Sequence, residues 1–126
     1  MTLLHVLAVE AEPDDRNAIE AAFGRFGCKV VTVRNAKAAL TAVAIRQFDL
    51  ICLDPRDRWS DDVLARLGAD QYAVAWFTGP RELAPRFDGV LARPLIPIAA
   101  AVTVAMAKMA ALRSQGLAPK QESAAA

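Results

Sequence analysis

Five short apolar runs alternate with segments of helical spacing along this chain, and that alternation limits the fold more than any other feature. The runs are HVLAV at His5 to Val9, KVVTV at Lys29 to Val33, DLICLD at Asp49 to Asp54, AVAWFT at Ala73 to Thr78 and GVLA at Gly89 to Ala92. Each is short and rich in Val, Ile, Leu or Ala, the pattern of a strand buried on both faces of a parallel sheet. Helical segments fill the intervals. Asp14 and Asp15 provide capping and first-turn carboxylates for a first helix, in which Ile19, Ala22, Phe23 and Phe26 recur at helical spacing before Gly27 stops it. Asn35 caps a second helix with Ala36, Ala39, Leu40 and Val43 on its apolar face, running to about Arg46. Ser60 caps a short third through Val63, Leu64 and Leu67, ended by Gly68. A last helix runs from about Pro97 to Arg113. Strands separated by helices predict a parallel, doubly wound α/β sheet with right-handed crossovers and helices on both faces.

One interval breaks the pattern. Only 15 positions separate Thr78 from Arg93, and Gly79 to Phe87 includes two prolines. A helix of average length, ~11–12 residues, with its two loops does not fit there, so the fourth helix is expected to be truncated or replaced by a loop.

Composition excludes several classes. A chain of 126 residues holds one ordinary core, and 55% hydrophobic against 23% charged residues is a globular balance. A net charge of +1 creates no long-range field for nucleic acid or an anionic membrane. No run approaches the ~18 apolar residues needed to span a bilayer, and residues 1–10 lack a basic leader, so a cytoplasmic location is expected. The domain is placed at residues 1–113, and SQGLAPKQESAAA, which lacks an apolar face, is read as a flexible tail over 114–126. Cys28 and Cys52 lie far apart in apolar surroundings and read as small core residues. His5 is the sole imidazole and reads as structural, leaving no Ser, His and Asp set for acyl transfer. The EAEPDD that follows the first run is opposite in chemistry to a glycine-rich phosphate loop. An independent enzyme is therefore not expected.

Doubly wound sheets carry their working residues beyond the C-terminal strand ends. Here those ends hold Glu10-Ala11-Glu12, Asp54 to Asp57, Thr78 and Arg93-Pro94. In this arrangement the chain resembles the receiver domains of bacterial response regulators over about Leu3 to Leu112. The resemblance implies a flavodoxin-like fold with strand order 2-1-3-4-5. It matches Glu10-Ala11 to the acidic pair that holds Mg²⁺, Asp54 to the phosphoryl-accepting aspartate, Thr78 to the phosphoryl-bonding hydroxyl and Arg93-Pro94 to a Lys followed by a cis-Pro. It also implies a role in a two-component relay, with a histidine kinase or another signalling protein as partner.

Three departures from the family pattern shape the expected function. Ala11 offers no side-chain oxygen, Glu10 is longer than the usual Asp, and Glu12 lies one position too far along. The metal ligands reduce to Glu10 and Asp54, so Mg²⁺ binding is expected to be weak or absent, and no other cofactor is expected. Arg93 carries a planar fork suited to a carboxylate, and either pairs with Asp54 or Glu10 or swings into solvent. Val90 stands where the family places an aromatic switch residue. The reading is a stand-alone atypical receiver that acts by protein–protein interaction, with a phosphoacceptor at Asp54 as the alternative. Beside the pocket, Arg56 and Arg58 are either solvated, screen Asp54 or receive a partner's acid. Trp59 is a lid, a partner contact or simple packing, and Trp76 belongs to a core strand. On the last helix, Ile98, Val102, Ala105, Met109 and Leu112 are assigned to the core, and Ala101, Val104 and Lys108 to a second face through which a homodimer forms.

Overall fold

The computed structural model describes residues 3–114 and 116. Strands β1 (His5–Val9), β2 (Lys29–Val33), β3 (Leu50–Leu53), β4 (Tyr72–Trp76) and β5 (Gly89–Leu91) alternate with helices α1 (Pro13–Gly24), α2 (Ala36–Ile45), α3 (Ser60–Leu64) and α4 (Pro97–Ser114). Between β4 and β5 a single 3₁₀ turn, Arg81–Leu83, stands where the alternation calls for a helix. Two hydrogen bonds from the Arg81 guanidinium, each 3.1 Å, satisfy the carbonyls of Ala84 and Phe87, so this short connection closes without a helix ladder. All strand pairs are parallel and the order is β2-β1-β3-β4-β5.

Side chains alternate across each strand, and they sort the core into two layers. Val6 and Ala8 of β1, Leu50 and Cys52 of β3, Val74 and Trp76 of β4 and Leu91 of β5 pack with Ile19 and Phe23 of α1 and with Ala100, Val104 and Ala107 of α4. Leu7, Val9, Ile51, Leu53, Ala73 and Ala75 face the other way, onto Ala36 and Ala39 of α2, Val63 of α3 and the loop residues Ala84 and Phe87. Continued past the strand ends, the same alternation puts Glu10 and Arg93 on the α1 side, where they meet Trp76 and Asp15.

Several local expectations change. The N-cap of α1 is Glu12, with no side-chain cap bond, and Asp14 and Asp15 lie inside the first turn after Pro13 at the helix start. The chain stops this helix at Gly24 and turns through Gly27, whose φ of 77° falls in the left-handed region that glycine adopts without strain. Asn35 caps α2 as its sequence suggests, accepting from the Ala38 N–H at 2.8 Å. Ser60 is the first residue of α3 and not its cap. Its buried hydroxyl donates instead to the Asp54 carbonyl at 2.6 Å.

The faces of α4 are exchanged relative to expectation. Val104 is only 4% exposed and packs in the core, together with Ala100, Thr103, Ala107 and Ala110. Ile98 at 71% and Val102 at 57% face out, with Ala105, Met106, Met109 and Leu112 also exposed. Lys108 is exposed and Ala101 half-buried, so Ala101, Val104 and Lys108 do not form one outward face. The helix is so rich in alanine that its larger side chains mislead: small residues let it lie close to the sheet, and the bulky ones are left outside. The sequence expectation for residues 115 and 117–126 lies outside the described residues.

Candidate functional site

Where the sheet reverses its winding, between β1 and β3, the strand ends open a cleft of about 350 Å³. Val9, Glu10 and Ala11 line it from the end of β1 and the loop after it, Asp54, Arg56 and Asp57 from the loop after β3, Arg34 from the loop after β2, and Arg93 from the loop after β5. Its ionic groups are three carboxylates and three guanidinium groups. That balance decides the electrostatics, because Glu10 and Asp54 each have a guanidinium partner supplied by the chain itself.

Glu10 is the most buried of these acids, and its side chain is 5% exposed. One carboxylate oxygen accepts from the Trp76 indole N–H at 2.8 Å and ion-pairs with Arg93, and the other accepts from the Glu12 N–H at 2.9 Å. Burial alone would push its pKa up. The Glu12 and Trp76 hydrogen bonds together with the Arg93 charge outweigh burial and hold it below the usual carboxylate range. Arg93 also reaches Asp15 at 3.4 Å, and its guanidinium carbon lies 4.6 Å from the Trp76 ring centre. The Arg93-Pro94 peptide is cis.

Asp54 is engaged from the opposite side of the cleft. The Arg56 side chain takes both of its oxygens in a fork, Nε to Oδ1 at 3.0 Å and Nη2 to Oδ2 at 2.9 Å. The Arg56 backbone N–H adds a third bond to Oδ1 at 2.8 Å. Burial raises the Asp54 pKa, but the Arg56 hydrogen bonds and charge, with a smaller contribution from Arg93, bring it below its ordinary value. The Asp54 carbonyl accepts from the Ser60 hydroxyl and from the Asp57 N–H at 3.1 Å, which fixes the loop that carries Arg56. Asp57 is committed to backbone: Oδ1 accepts from the Trp59 N–H and Oδ2 from the Ala36 N–H, both at 3.0 Å. This second bond ties the loop after β3 to the start of α2.

The donor set does not fit a resident Mg²⁺. An octahedral ion needs several free oxygens at one point. Here both oxygens of Glu10 and both of Asp54 are already bonded, Ala11 contributes none, and Glu12 points outward as the cap of α1. Among the described residues no group of three or more His, Cys, Asp or Glu side chains is gathered to hold a metal.

A search of solved structures finds the same architecture repeatedly. The chain superposes with a TM-score of 0.77 and 14% identity on the signal receiver domain of an HD domain-containing protein from Pseudomonas fluorescens Pf-5, covering 92% of this chain and 94% of that one. For the chemotaxis response regulator CheY4 of Vibrio cholerae the TM-score is 0.72 at 21% identity, over 84% of this chain and 99% of that one. The fold is the receiver fold. A third example, the response regulator receiver domain (CheY-like) from Methylobacillus flagellatus, gives 0.69 at 19% identity over 84% and 99% of the two chains. No protein-family profile and no curated protein sequence matches the chain.

Within that fold the expected site residues divide. Glu10, Ala11, Asp54 and Arg93 are brought together in the cleft. Glu12 contributes only its backbone N–H. Thr78 is exposed and, among the described residues, neither lines the cleft nor has a hydrogen-bond partner for its hydroxyl. Beyond it, Gly79 packs under the Phe77 ring so closely that a Cβ there would collide with it. Arg93 chooses Glu10 of the two partners considered. Three members of the constellation were not singled out from sequence: Trp76 as a donor to Glu10, Asp57 as the tie between two loops, and Asp15 as the second partner of Arg93. Trp76 carried a readable signal, because it lies two places before Thr78 on the strand face that leads to Glu10 and is the only N–H-bearing side chain in β4. Trp59 is not a lid. It is half-buried against the α2 and α3 layer, with Lys37 and Arg58 over its ring at 5.7 and 5.0 Å.

Proposed function

We propose that this chain is a receiver-type signalling domain of a two-component relay that acts through protein–protein contact, with a degenerate phosphorylation pocket around Asp54. One observation carries the reading: the Arg56 fork occupies both oxygens of Asp54. An acceptor carboxylate must approach an anionic phosphoryl donor, and a divalent ion normally bridges the two. Here two monovalent guanidiniums neutralise Asp54 and Glu10 and take the positions where their oxygens would meet such an ion. Guanidinium can offset charge, but it cannot supply octahedral coordination. The partner is a histidine kinase or another signalling protein in the cytoplasm, and the domain itself performs no catalysis.

A phosphoacceptor role for Asp54 is the second reading. It is favoured by the placement of this carboxylate at the β3 end, 26% exposed, within an open cleft. Intact mass after incubation with acetyl phosphate and Mg²⁺ separates the two, with Asp54→Asn as control. The degenerate pocket predicts no appreciable gain. Rapid, Mg²⁺-dependent addition of one phosphoryl group, absent from Asp54→Asn, establishes the second reading in its place.

Self-association through α4 belongs to the same proposal, on the face that the structure leaves outside. Ile98, Val102, Met106, Met109 and Leu112 form a stripe at helical spacing. A second copy related by a two-fold axis presents the same stripe, so apolar surface meets apolar surface without an unpaired charge at its centre.

A further inference from the structure

We propose that the loops after β2 and β3 form a docking surface for an acidic segment of a partner protein, built on Lys37, Arg58 and Trp59 with Arg34 at its inner edge. The proposal rests on the reading of the chain as an interaction module, and names the chemistry of one partner. Arg34, Lys37 and Arg58 are all exposed. Among the described residues none of the three lies within ion-pairing distance of a carboxylate, whereas the neighbouring Arg56 and Arg93 are both paired. Three cations without a carboxylate partner, Arg34 and Arg58 on loops and Lys37 in the first turn of α2, repel one another. They are nevertheless held together, because Asp57 bonds the Ala36 N–H at the start of α2 and the Trp59 N–H on the loop after β3 at 3.0 Å each. The Trp59 ring draws Lys37 and Arg58 in over itself. The cationic groups are thus arranged before any ligand arrives, which lowers the ordering cost of binding.

The chemistry favours carboxylates over a nucleic acid. Single-stranded binding relies on aromatic rings free to stack on bases, but Trp59 is half-buried and already carries two cations over its ring. Asp61 and Asp62, which open α3 just beyond Trp59, would repel a continuous phosphate backbone on that side. With a net charge of +1 there is no wider field to draw in a polyanion. Discrete Asp or Glu side chains can meet the three cations one by one while avoiding α3.

Fluorescence anisotropy of a labelled oligoglutamate peptide at low salt tests this, with Trp59 emission as a second readout and Trp59→Phe as its control. Saturable binding is expected, weakened by salt and reduced about tenfold or more, equivalent to ~1.4 kcal/mol, in Lys37→Glu/Arg58→Glu. The same loss is expected in the milder Lys37→Gln/Arg58→Gln if the charge reversal fails to fold. Absence of saturable binding, binding unchanged in both variants, or tighter binding of a single-stranded oligonucleotide overturns the proposal. Such a result does not touch the degenerate pocket, which stands or falls on phosphoryl uptake.

Discussion

The indole N–H of Trp76 donates to the buried carboxylate of Glu10 at 2.8 Å, and the Arg93 guanidinium lies over the same ring while pairing with the same acid. A core strand and a cleft are therefore one structure: the residue that fills the layer under α1 and α4 also fixes the acid at the end of β1. Among the described residues no buried side-chain polar atom lacks a partner, so this network is complete as built. Loss of any member leaves a buried group exposed to the cost of desolvation without compensation.

Trp76→Phe keeps an aromatic side chain but removes the N–H and part of the buried indole. It is expected to lower stability by about 2 kcal/mol or more through the unmatched Glu10 oxygen and the cavity left behind, measured as a reduced midpoint in urea at neutral pH. An unchanged midpoint would show that Arg93 alone satisfies that oxygen.

Acid should weaken the fold through Glu10. Because the folded carboxyl holds its proton less readily than the unfolded one, its contribution is complete above the ordinary glutamate value of about 4.3 and is lost as pH falls through the lower folded value. Asp54 adds a component of the same sign. Urea midpoints between pH 7 and pH 3 should drop below about pH 4, and Glu10→Gln should flatten that drop while lowering the midpoint at pH 7.

Freeing Asp54 should raise its reactivity. Arg56→Ala removes the fork and leaves only backbone bonds near the carboxylate. Combined with Ala11→Asp, which returns an oxygen to the cleft, it is expected to increase phosphoryl uptake from acetyl phosphate in Mg²⁺ by tenfold or more, about 1.4 kcal/mol of barrier. Intact mass against time reads the change. No increase in the double variant would place the block elsewhere than in Arg56 and Ala11.

Two substitutions on α4 should part company. Val104→Glu buries a charge at a position 4% exposed and is expected to cost about 3 kcal/mol or more, visible as loss of the cooperative unfolding transition. Val102→Glu, at a position 57% exposed, should leave the fold intact and shift sedimentation toward monomer. A native protein that sediments as monomer at high concentration would remove the dimer.

Thiol chemistry offers a further check on the layers. Burial pushes the Cys52 thiol up to about 12, and burial also raises that of half-buried Cys28. Neither is a ready nucleophile at neutral pH. Iodoacetamide at pH 7.5 should leave Cys52 unmodified in the native protein and label it only after denaturation.

The parallel pairing and the missing helix were legible because they depend on patterns longer than any one side chain, while the strand order followed from the resemblance to receiver domains. Runs such as LICL declare themselves by being apolar at every position, and the interval from Thr78 to Arg93 is too short whatever occupies it. Of the site, the strand ends pointed to Glu10, Ala11, Asp54 and Arg93, which the cleft brings together, but also to Thr78, which stays outside it, and they gave no sign of Asp15. The site was not legible to the level of which oxygen each cation takes. Arg56 and Arg93 both had Asp54 within their expected reach, and loop geometry set by Ser60 and Asp57 decides between them. Helix α4 failed for a different reason: in an alanine-rich helix the hydrophobic residues are spread over several faces, and close approach to the sheet selects Ala100, Ala107 and Ala110 over Ile98 and Val102.

The 3₁₀ turn between β4 and β5 sets a gradient of cooperativity across the molecule. On one side of the sheet α1 and α4 clamp the strands with long helices, whereas over β4 and β5 on the other side the cover is Ala84, Phe87 and a guanidinium bridging two carbonyls. Segments with few buried contacts open locally at a fraction of the global cost. Amide protons of β5 and the preceding turn should therefore exchange by such partial opening, while those of β1 and β3 wait for the whole domain to unfold. A partner that grips this edge would work against that partial opening.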